Sequence, residues 1–185
     1  MNGRLIAVVG PSGAGKDAVM DGLVAACSGL HRARRVITRA DDAGEAFEPA
    51  SPAQFAVRRA AGAFALHWQA HGQSYGVPAA ELAPLRHGGA VIVNLSRTVL
   101  PAAAEIAPRL VVLVVTASPA VRAARIAGRG RETTGEIAAR LDRKVTLPPL
   151  PPQVEVLEVA NDGPLADTVA QACRALYPAS GRRAR

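Results

Sequence analysis

The sequence predicts an α/β fold in which a parallel sheet is covered by helices on both faces. Three observations predict it. Apolar runs of strand length alternate with helix-like stretches along the chain. The run Leu110-Val111-Val112-Leu113-Val114-Val115 is apolar throughout, as a parallel strand buried on both faces must be. And Leu5-Ile6-Ala7-Val8-Val9 leads directly into the glycine-rich turn Gly10-Pro11-Ser12-Gly13-Ala14-Gly15-Lys16-Asp17, followed by a helical stretch.

In chain order, residues 4–9 read as the first strand and 17–27 as the first helix. Arg34-Arg35-Val36-Ile37-Thr38-Arg39 is a short β-leaning segment bracketed by arginines. Residues 40–52 are acidic and turn-rich, hence an exposed loop. Ser51 before Pro52 predicts an N-cap with proline at the first helical position, and the helix ends near Ala61-Gly62. Residues 64–70 are strand-like, and 72–77 form a turn feeding a second strand. Residues 78–87 read as a helix stopped by Gly88-Gly89. Strand 90–95, helix 100–106 and strand 110–115 follow, then a helix capped by Ser118-Pro119 and running to 126. A further helix is expected over 132–144 and a last strand over 154–159. The closing helix, 164–177, has apolar positions at Leu165, Val169, Cys173 and Leu176. Leu147-Pro148-Pro149-Leu150-Pro151-Pro152 reads as a stiff connector, with a short polyproline ligand as the other possibility.

Composition narrows the function. With 185 residues the chain can bury one good core with room for a small inserted lobe, and aromatics at 3% leave that core to Ala, Val and Leu. A net charge of +7 raises nucleic acid as a partner. The arginines, however, gather near glycines and in one helical stretch, without aromatic stacking platforms. A highly phosphorylated small molecule needs the same charge and is the expected partner instead. A strand begins within four residues of the start, with no signal-peptide pattern, and no apolar run reaches membrane-span length. A cytoplasmic protein with no membrane or nucleic-acid partner is expected, as monomer or homodimer. Cys27 and Cys173 are far apart in sequence, lack metal-type spacing, and read as small core residues in a reducing compartment. The basic tail, 179–185, is expected to be a frayed end.

Chemistry concentrates in residues 10–17. Strand, glycine-rich turn and helix together make the phosphate-binding P-loop unit. Its glycines let successive N–H groups point inward at phosphate oxygens, the helix adds its positive N-terminal end, and Lys16 brings a full charge to the β- and γ-phosphates. Asp17 stands where Ser or Thr ordinarily offers a hydroxyl to Mg²⁺. A second cluster, Arg122, Arg125, Arg129 and Arg131, with Arg140 beyond it, fits a lid over about 127–143 that clamps a transferring phosphoryl group. A solvated basic face is the plainer alternative.

These motifs, in this order, resemble the guanylate kinase-like family of nucleoside-monophosphate kinases. The P-loop is followed by Arg35…Thr38-Arg39…Gly44-Glu45, by Phe64 and Gly72…Tyr75-Gly76, by Arg129-Gly130-Arg131, and by Asn161-Asp162. The resemblance implies one kinase domain over 1–185, with a core of 1–34 and 86–178 and an acceptor lobe of about 35–85. It implies that Arg35, Arg39 and Tyr75 hold the acceptor phosphate and that Glu45 meets acceptor hydroxyls. Arg129 and Arg140 would reach the ATP phosphates, with Arg131 beside them, and Asn161 and Asp162 would lie near adenine.

Two departures redirect the substrate assignment. Aligned on Tyr75-Gly76, Leu66 occupies the position of the family's guanine-reading glutamate, so guanine N–H groups would be left unpaired. The family's Leu-Asp-Ile-Asp is replaced by Val93-Asn94-Leu95-Ser96, followed by Arg97. With Gly-Lys-Asp in the P-loop and Asn161-Asp162-Gly163, the chain resembles the ribose 1,5-bisphosphate phosphokinase branch. That resemblance implies transfer of the ATP γ-phosphoryl group to ribose 1,5-bisphosphate, giving 5-phosphoribosyl 1-diphosphate, with Ser96 and Arg97 among the substrate contacts. A nucleoside-monophosphate kinase with an altered base pocket and a non-catalytic binding module are the competing readings. Retention of Lys16, Arg129 and Arg131 argues against the second.

A phosphate acceptor is already an anion, so the transfer needs no general base; the demand is electrostatic, for two polyanions to approach in line. Asp17 has two readings, a Mg²⁺ ligand replacing the lost carboxylates or a helix N-terminal carboxylate favoured by the dipole. Among the histidines, His71 follows Trp68 by three residues in the expected acceptor lobe, so both a sugar or phosphate contact and a packing role stand open. Trp68 is expected to pack the lobe.

Overall fold

The computed structural model describes residues 3–40, 46–128 and 146–178. The expected helix over 132–144, the lid arginines Arg129, Arg131 and Arg140, Glu45 and the basic tail lie outside the described residues.

Two sheets make the framework. Five parallel strands run in the order β2-β7-β1-β8-β9, with β2 at Leu30–Arg32, β7 at Ala90–Asn94, β1 at Arg4–Val9, β8 at Arg109–Thr116 and β9 at Glu155–Ala160. Successive side chains of β1 point to opposite faces, so one strand feeds two cores. Leu5, Ala7 and Val9 join one with Val91, Val93 and Val112, while Ile6 and Val8 join the other with Ile92, Val111 and Leu113. Helices α1 (Lys16–Ala26) and α5 (Leu165–Leu176) cover the second core, and α3 (Leu100–Ile106) the first; α4 (Pro119–Ala127) follows β8.

The second sheet lies within residues 35–78 and runs β4-β3-β6-β5: Phe47–Pro49, Arg35–Ile37, Gln73–Pro78 and Phe64–Ala70. Its β5–β6 hairpin is antiparallel and packs Leu66, Trp68 and Val77 onto the first core of the main sheet. Helix α2 (Pro52–Ala60) closes a small third core of Val36, Phe55 and Phe64. Its start is as expected. Ser51 caps the Gln54 N–H while the Gln54 side chain accepts from the Ser51 N–H. Such a capping box contributes about 1 kcal/mol.

Three expectations need correction, and one strand was not expected. Residues 40–52 are not all loop: Phe47, 2% exposed, anchors β4 beside β3, its ring lying under Arg39. Leu30–Arg32 forms β2, an edge strand whose three residues are too few to show a period. Ala79–His87 is a 3₁₀ helix, because Pro84 inside it supplies no N–H for an α-helical bond. In α5 the buried stripe is Thr168, Ala172 and Leu176, one step from the predicted face, and Leu165 is exposed. The step follows from polarity satisfied locally: the Thr168 hydroxyl donates to the Ala160 carbonyl and lies 3.1 Å from Asn161 Oδ1.

Helices α1 and α5 run side by side. Val169 packs where Gly22 leaves out a Cβ, and at their far ends the free thiols of Cys27 and Cys173 come to 3.3 Å. Burial, then the hydrogen bond and charge of Cys173, push the Cys27 thiol from 9.0 up to about 11, against a smaller opposing pull from Arg4.

Candidate active site

The turn after β1 is built by close backbone approach. A Cβ on Gly10 would stand 2.1 Å from the Val115 carbonyl oxygen of the neighbouring strand. Gly15 has φ +84°, and a Cβ there would meet Asn161 Nδ2 at 2.4 Å. A side chain at Gly10 would have to move the main chain, and one at Gly15 would be strained by its left-handed backbone and would displace the Asn161 side chain. Lys16, at the first position of α1, folds its ammonium back to donate to the Gly10 and Pro11 carbonyls, both at 3.1 Å.

Support for the turn comes from behind. Arg122 Nε donates to the Ser12 carbonyl at 3.0 Å, Arg125 Nη1 approaches the Gly13 and Ala14 carbonyls at 3.5 and 3.4 Å, and Asn161 Nδ2 donates to the Ala14 carbonyl at 2.8 Å. These bonds engage the carbonyls of Ser12, Gly13 and Ala14 from the side away from the cavity's far wall, and the Ala14 N–H closes the turn on the Pro11 carbonyl. Arg122 and Arg125, read from sequence with the lid cluster, therefore buttress the loop. Asn161 is 2% exposed, so its side chain is spent on holding the loop. Asp162, on the surface, accepts from the Ser118 N–H at 2.6 Å, and this bond, with the Ser118 hydroxyl and Arg125, holds its carboxyl below the usual carboxylate range.

In front of the turn is a cavity of about 280 Å³. Four elements line it: Gly10, Ser12, Gly13, Gly15, Lys16 and Asp17 from the turn and α1; Arg35 and Arg39 from β3 and its end; Trp68, Ala70, His71 and Tyr75 from the β5–β6 hairpin; and Asn94, Leu95, Ser96 and Arg97 from the end of β7. Eleven of the sequence-predicted site residues are thus brought together. Pro11 and Ala14 form the turn without lining the cavity, and Ala14 is wholly buried.

Register sets the far wall. Trp68 lies directly opposite Tyr75 across the hairpin, so their rings stack 5.2 Å apart at 5°. The Arg35 guanidinium, 6% exposed, lies 5.8 Å from the Tyr75 ring centroid. Trp68 therefore both packs the lobe and faces the cavity. Leu66, two residues earlier on β5, is 3% exposed, belongs to the core, and does not line the cavity. At the β7 end the Ser96 hydroxyl caps a 3₁₀ turn through the Thr98 N–H, and Arg97 Nη1 donates to the Thr146 carbonyl at 3.2 Å.

Asp17 has a partner that sequence reading missed. Arg32 Nη2 donates to its Oδ1 at 2.9 Å, and Arg32 Nη1 reaches Asp21 one turn further along α1. The only available signal was the i, i+4 spacing of the two carboxylates on one helix face; the arginine sits on β2, whose existence was not predicted. Among the described residues no three His, Cys, Asp or Glu side chains gather into a metal cluster. One carboxylate beside a phosphate-binding turn is the donor set of Mg²⁺ held chiefly by phosphate oxygens and water, so the residues present fit that ion.

No protein-family model matches the chain. Against curated proteins it is 49% identical over 173 residues to the ribose 1,5-bisphosphate phosphokinase of Ruegeria sp. (strain TM1040), covering 92% of this chain and 90% of that one. It is 41% identical over 181 residues to the protein of the same name from Agrobacterium fabrum (strain C58), covering 96% and 98%. Among solved structures, guanylate kinase from Anaplasma phagocytophilum superposes with a TM-score of 0.64 over 95% of this chain and 85% of that one, at 16% identity, a likeness of fold. The turn, the arginine-lined cavity and these two relatives lead to one conclusion: the chain belongs to the ribose 1,5-bisphosphate phosphokinase family, built on a guanylate kinase-like fold.

Proposed function

We propose that this protein transfers the γ-phosphoryl group of ATP to the 1-phosphate of ribose 1,5-bisphosphate, giving ADP and 5-phospho-α-D-ribose 1-diphosphate. The observation that carries the reading is the composition of the cavity. A phosphate-binding turn and Lys16 form one wall, Arg35, Arg39 and Tyr75 the other, and Leu66, at the base-reading position, is withdrawn into the core. Such a site offers cations to two polyanions, and among the described residues the base-reading position offers no carboxylate to a guanine edge.

In this reading residues 10–16 hold the β- and γ-phosphates of ATP. Arg35, Arg39 and Tyr75 hold the acceptor, with Ser96 and Arg97 closing the side of the cavity at the β7 end. An oxygen of the acceptor's 1-phosphate forms the new P–O bond, and the bond from the γ-phosphorus to the β-bridging oxygen breaks, leaving ADP. The acceptor oxygen is anionic beforehand, so no side chain need take a proton. Lys16 and the arginines lower the electrostatic cost of approach. Mg²⁺, which Asp17 would help to hold, supplies charge neutralisation on the phosphates.

The test is ADP release by the purified protein with ATP and Mg²⁺, comparing ribose 1,5-bisphosphate, GMP and AMP. The expected kcat/KM for the bisphosphate exceeds that for GMP by about 10⁴ or more, the discrimination lost when a buried polar edge goes unmatched. Preference for GMP would return the protein to the nucleotide kinases. Binding of ATP without turnover of any acceptor would favour a binding module.

A further inference from the structure

Among the described residues His71 is the one non-glycine with positive φ, +52°. Its neighbour Gly72 has φ +70°. The last hairpin pair is Ala70 with Gln73, so His71 and Gly72 are the two central residues of the turn joining β5 to β6. Both being left-handed, this is a turn of type I′, where Asn-Gly or Gly-Gly fits without strain. Histidine tolerates the left-handed region better than most residues but is not the ordinary choice. A residue in a disfavoured backbone state next to a binding cavity is reason to look for a use of its side chain.

The surroundings fix where that side chain is delivered. Beyond the turn, Thr38 ties the hairpin to the end of β3. Its N–H donates to the Ser74 carbonyl at 3.0 Å, and its hydroxyl accepts from the Ser74 N–H at 2.8 Å and bonds Gln73 Oε1 at 3.0 Å. Before the turn, Trp68 is held against Tyr75. Pinned on both sides, the turn is a rigid part of the cavity wall, and His71 lines the cavity with Lys16, Arg35, Arg39 and Arg97. An imidazole offers an N–H donor there, and a cationic one when protonated.

We propose that His71 is an acceptor-binding residue that donates a hydrogen bond to a phosphate oxygen of the sugar bisphosphate. The proposal rests on the function given above, and deepens it. A nucleoside monophosphate presents one phosphate and a base, whereas a sugar bisphosphate presents two phosphates. The hairpin that buries Leu66 at the base-reading position offers His71 to the cavity from its tip, in a molecule that has to recognise the additional anion.

His71→Asn and His71→Gly both suit the left-handed backbone, so both keep the turn while changing or removing the side chain. Trp68, the single tryptophan, reports on the hairpin through its fluorescence. The expected result is a KM for ribose 1,5-bisphosphate raised at least tenfold in His71→Gly, with the KM for ATP within twofold of wild type. His71→Asn, which retains a side-chain N–H donor, should fall between the two. The Trp68 emission and melting temperature of both ligand-free variants should match wild type. An acceptor KM within twofold of wild type in His71→Gly would overturn the proposal. So would equal increases for ATP and acceptor, or a changed Trp68 emission in both variants, since either assigns His71 a role in shaping the site. If the wild-type enzyme used GMP and not the bisphosphate, the proposed function would fail, and the proposal with it, while an unchanged KM in a bisphosphate-active enzyme would remove His71 alone.

Discussion

Asp17 shows how one residue's role depends on a neighbour far away in sequence. Its place after Lys16 was legible, and so was its fitness for a hard cation; its ion pair with Arg32 was not, because β2 carries no readable period. The pair fixes the carboxylate at the mouth of the site and gives Asp17 a stabilising role independent of any metal. The two roles separate experimentally. If Asp17 helps hold Mg²⁺, Asp17→Ser should raise the Mg²⁺ concentration for half-maximal activity about tenfold, the scale of loss when a metal-supporting group is removed. An unchanged Mg²⁺ requirement with a lowered melting temperature would leave Asp17 only its pairing with Arg32 and the helix end. Leu66 was legible in the opposite way. The alignment on Tyr75 identified the missing glutamate, and the fold adds that the leucine has turned inward, so the cavity wall is supplied by Trp68, Ala70 and His71.

At the scale of elements, β1, β8 and α1 are easy to read, since two buried faces demand continuous apolar residues and a glycine-rich turn punctuates the start of the helix. Three-residue strands and a proline-containing 3₁₀ helix carry too little pattern, and tertiary pairing decides them. The arginines of α4 illustrate a subtler limit. Sequence shows a basic helix, but only packing shows that Arg122 and Arg125 turn toward loop carbonyls. The same packing makes the β9–α5 junction a support of the glycine-rich turn. Asn161→Ala should remove the shorter bond to the Ala14 carbonyl, leaving it the longer contact from Arg125, and leave the Thr168 hydroxyl only the Ala160 carbonyl, costing about 1 kcal/mol. The expected readouts are a lower urea midpoint and a raised KM for ATP, with the acceptor KM little changed. Wild-type values for both ATP KM and stability would show that the loop holds its shape without this support.

Over the whole molecule, a parallel sheet and a small mixed sheet share one hydrophobic core, and the cavity forms where the open end of the first meets the hairpin of the second. The glycine-rich turn stands at the C-terminal ends of the parallel strands, where binding sites of such sheets gather. The second sheet brings Arg35 and Arg39 to the opposite wall, where the proposed function has them hold the acceptor. What motif order could not reveal is that α1 and α5 lie side by side with Cys27 and Cys173 in contact, a pairing created by the crossover connections alone. The central claim concerns the bond that the assembled site makes, and phosphorus NMR of the wild-type reaction with ATP, Mg²⁺ and ribose 1,5-bisphosphate tests it most directly. The expected result is a new pair of coupled diphosphate doublets distinct from those of ADP, with the 5-phosphate resonance remaining uncoupled to phosphorus. A spectrum in which ADP accumulates without that pair, or in which the 5-phosphate becomes the coupled partner, would contradict it.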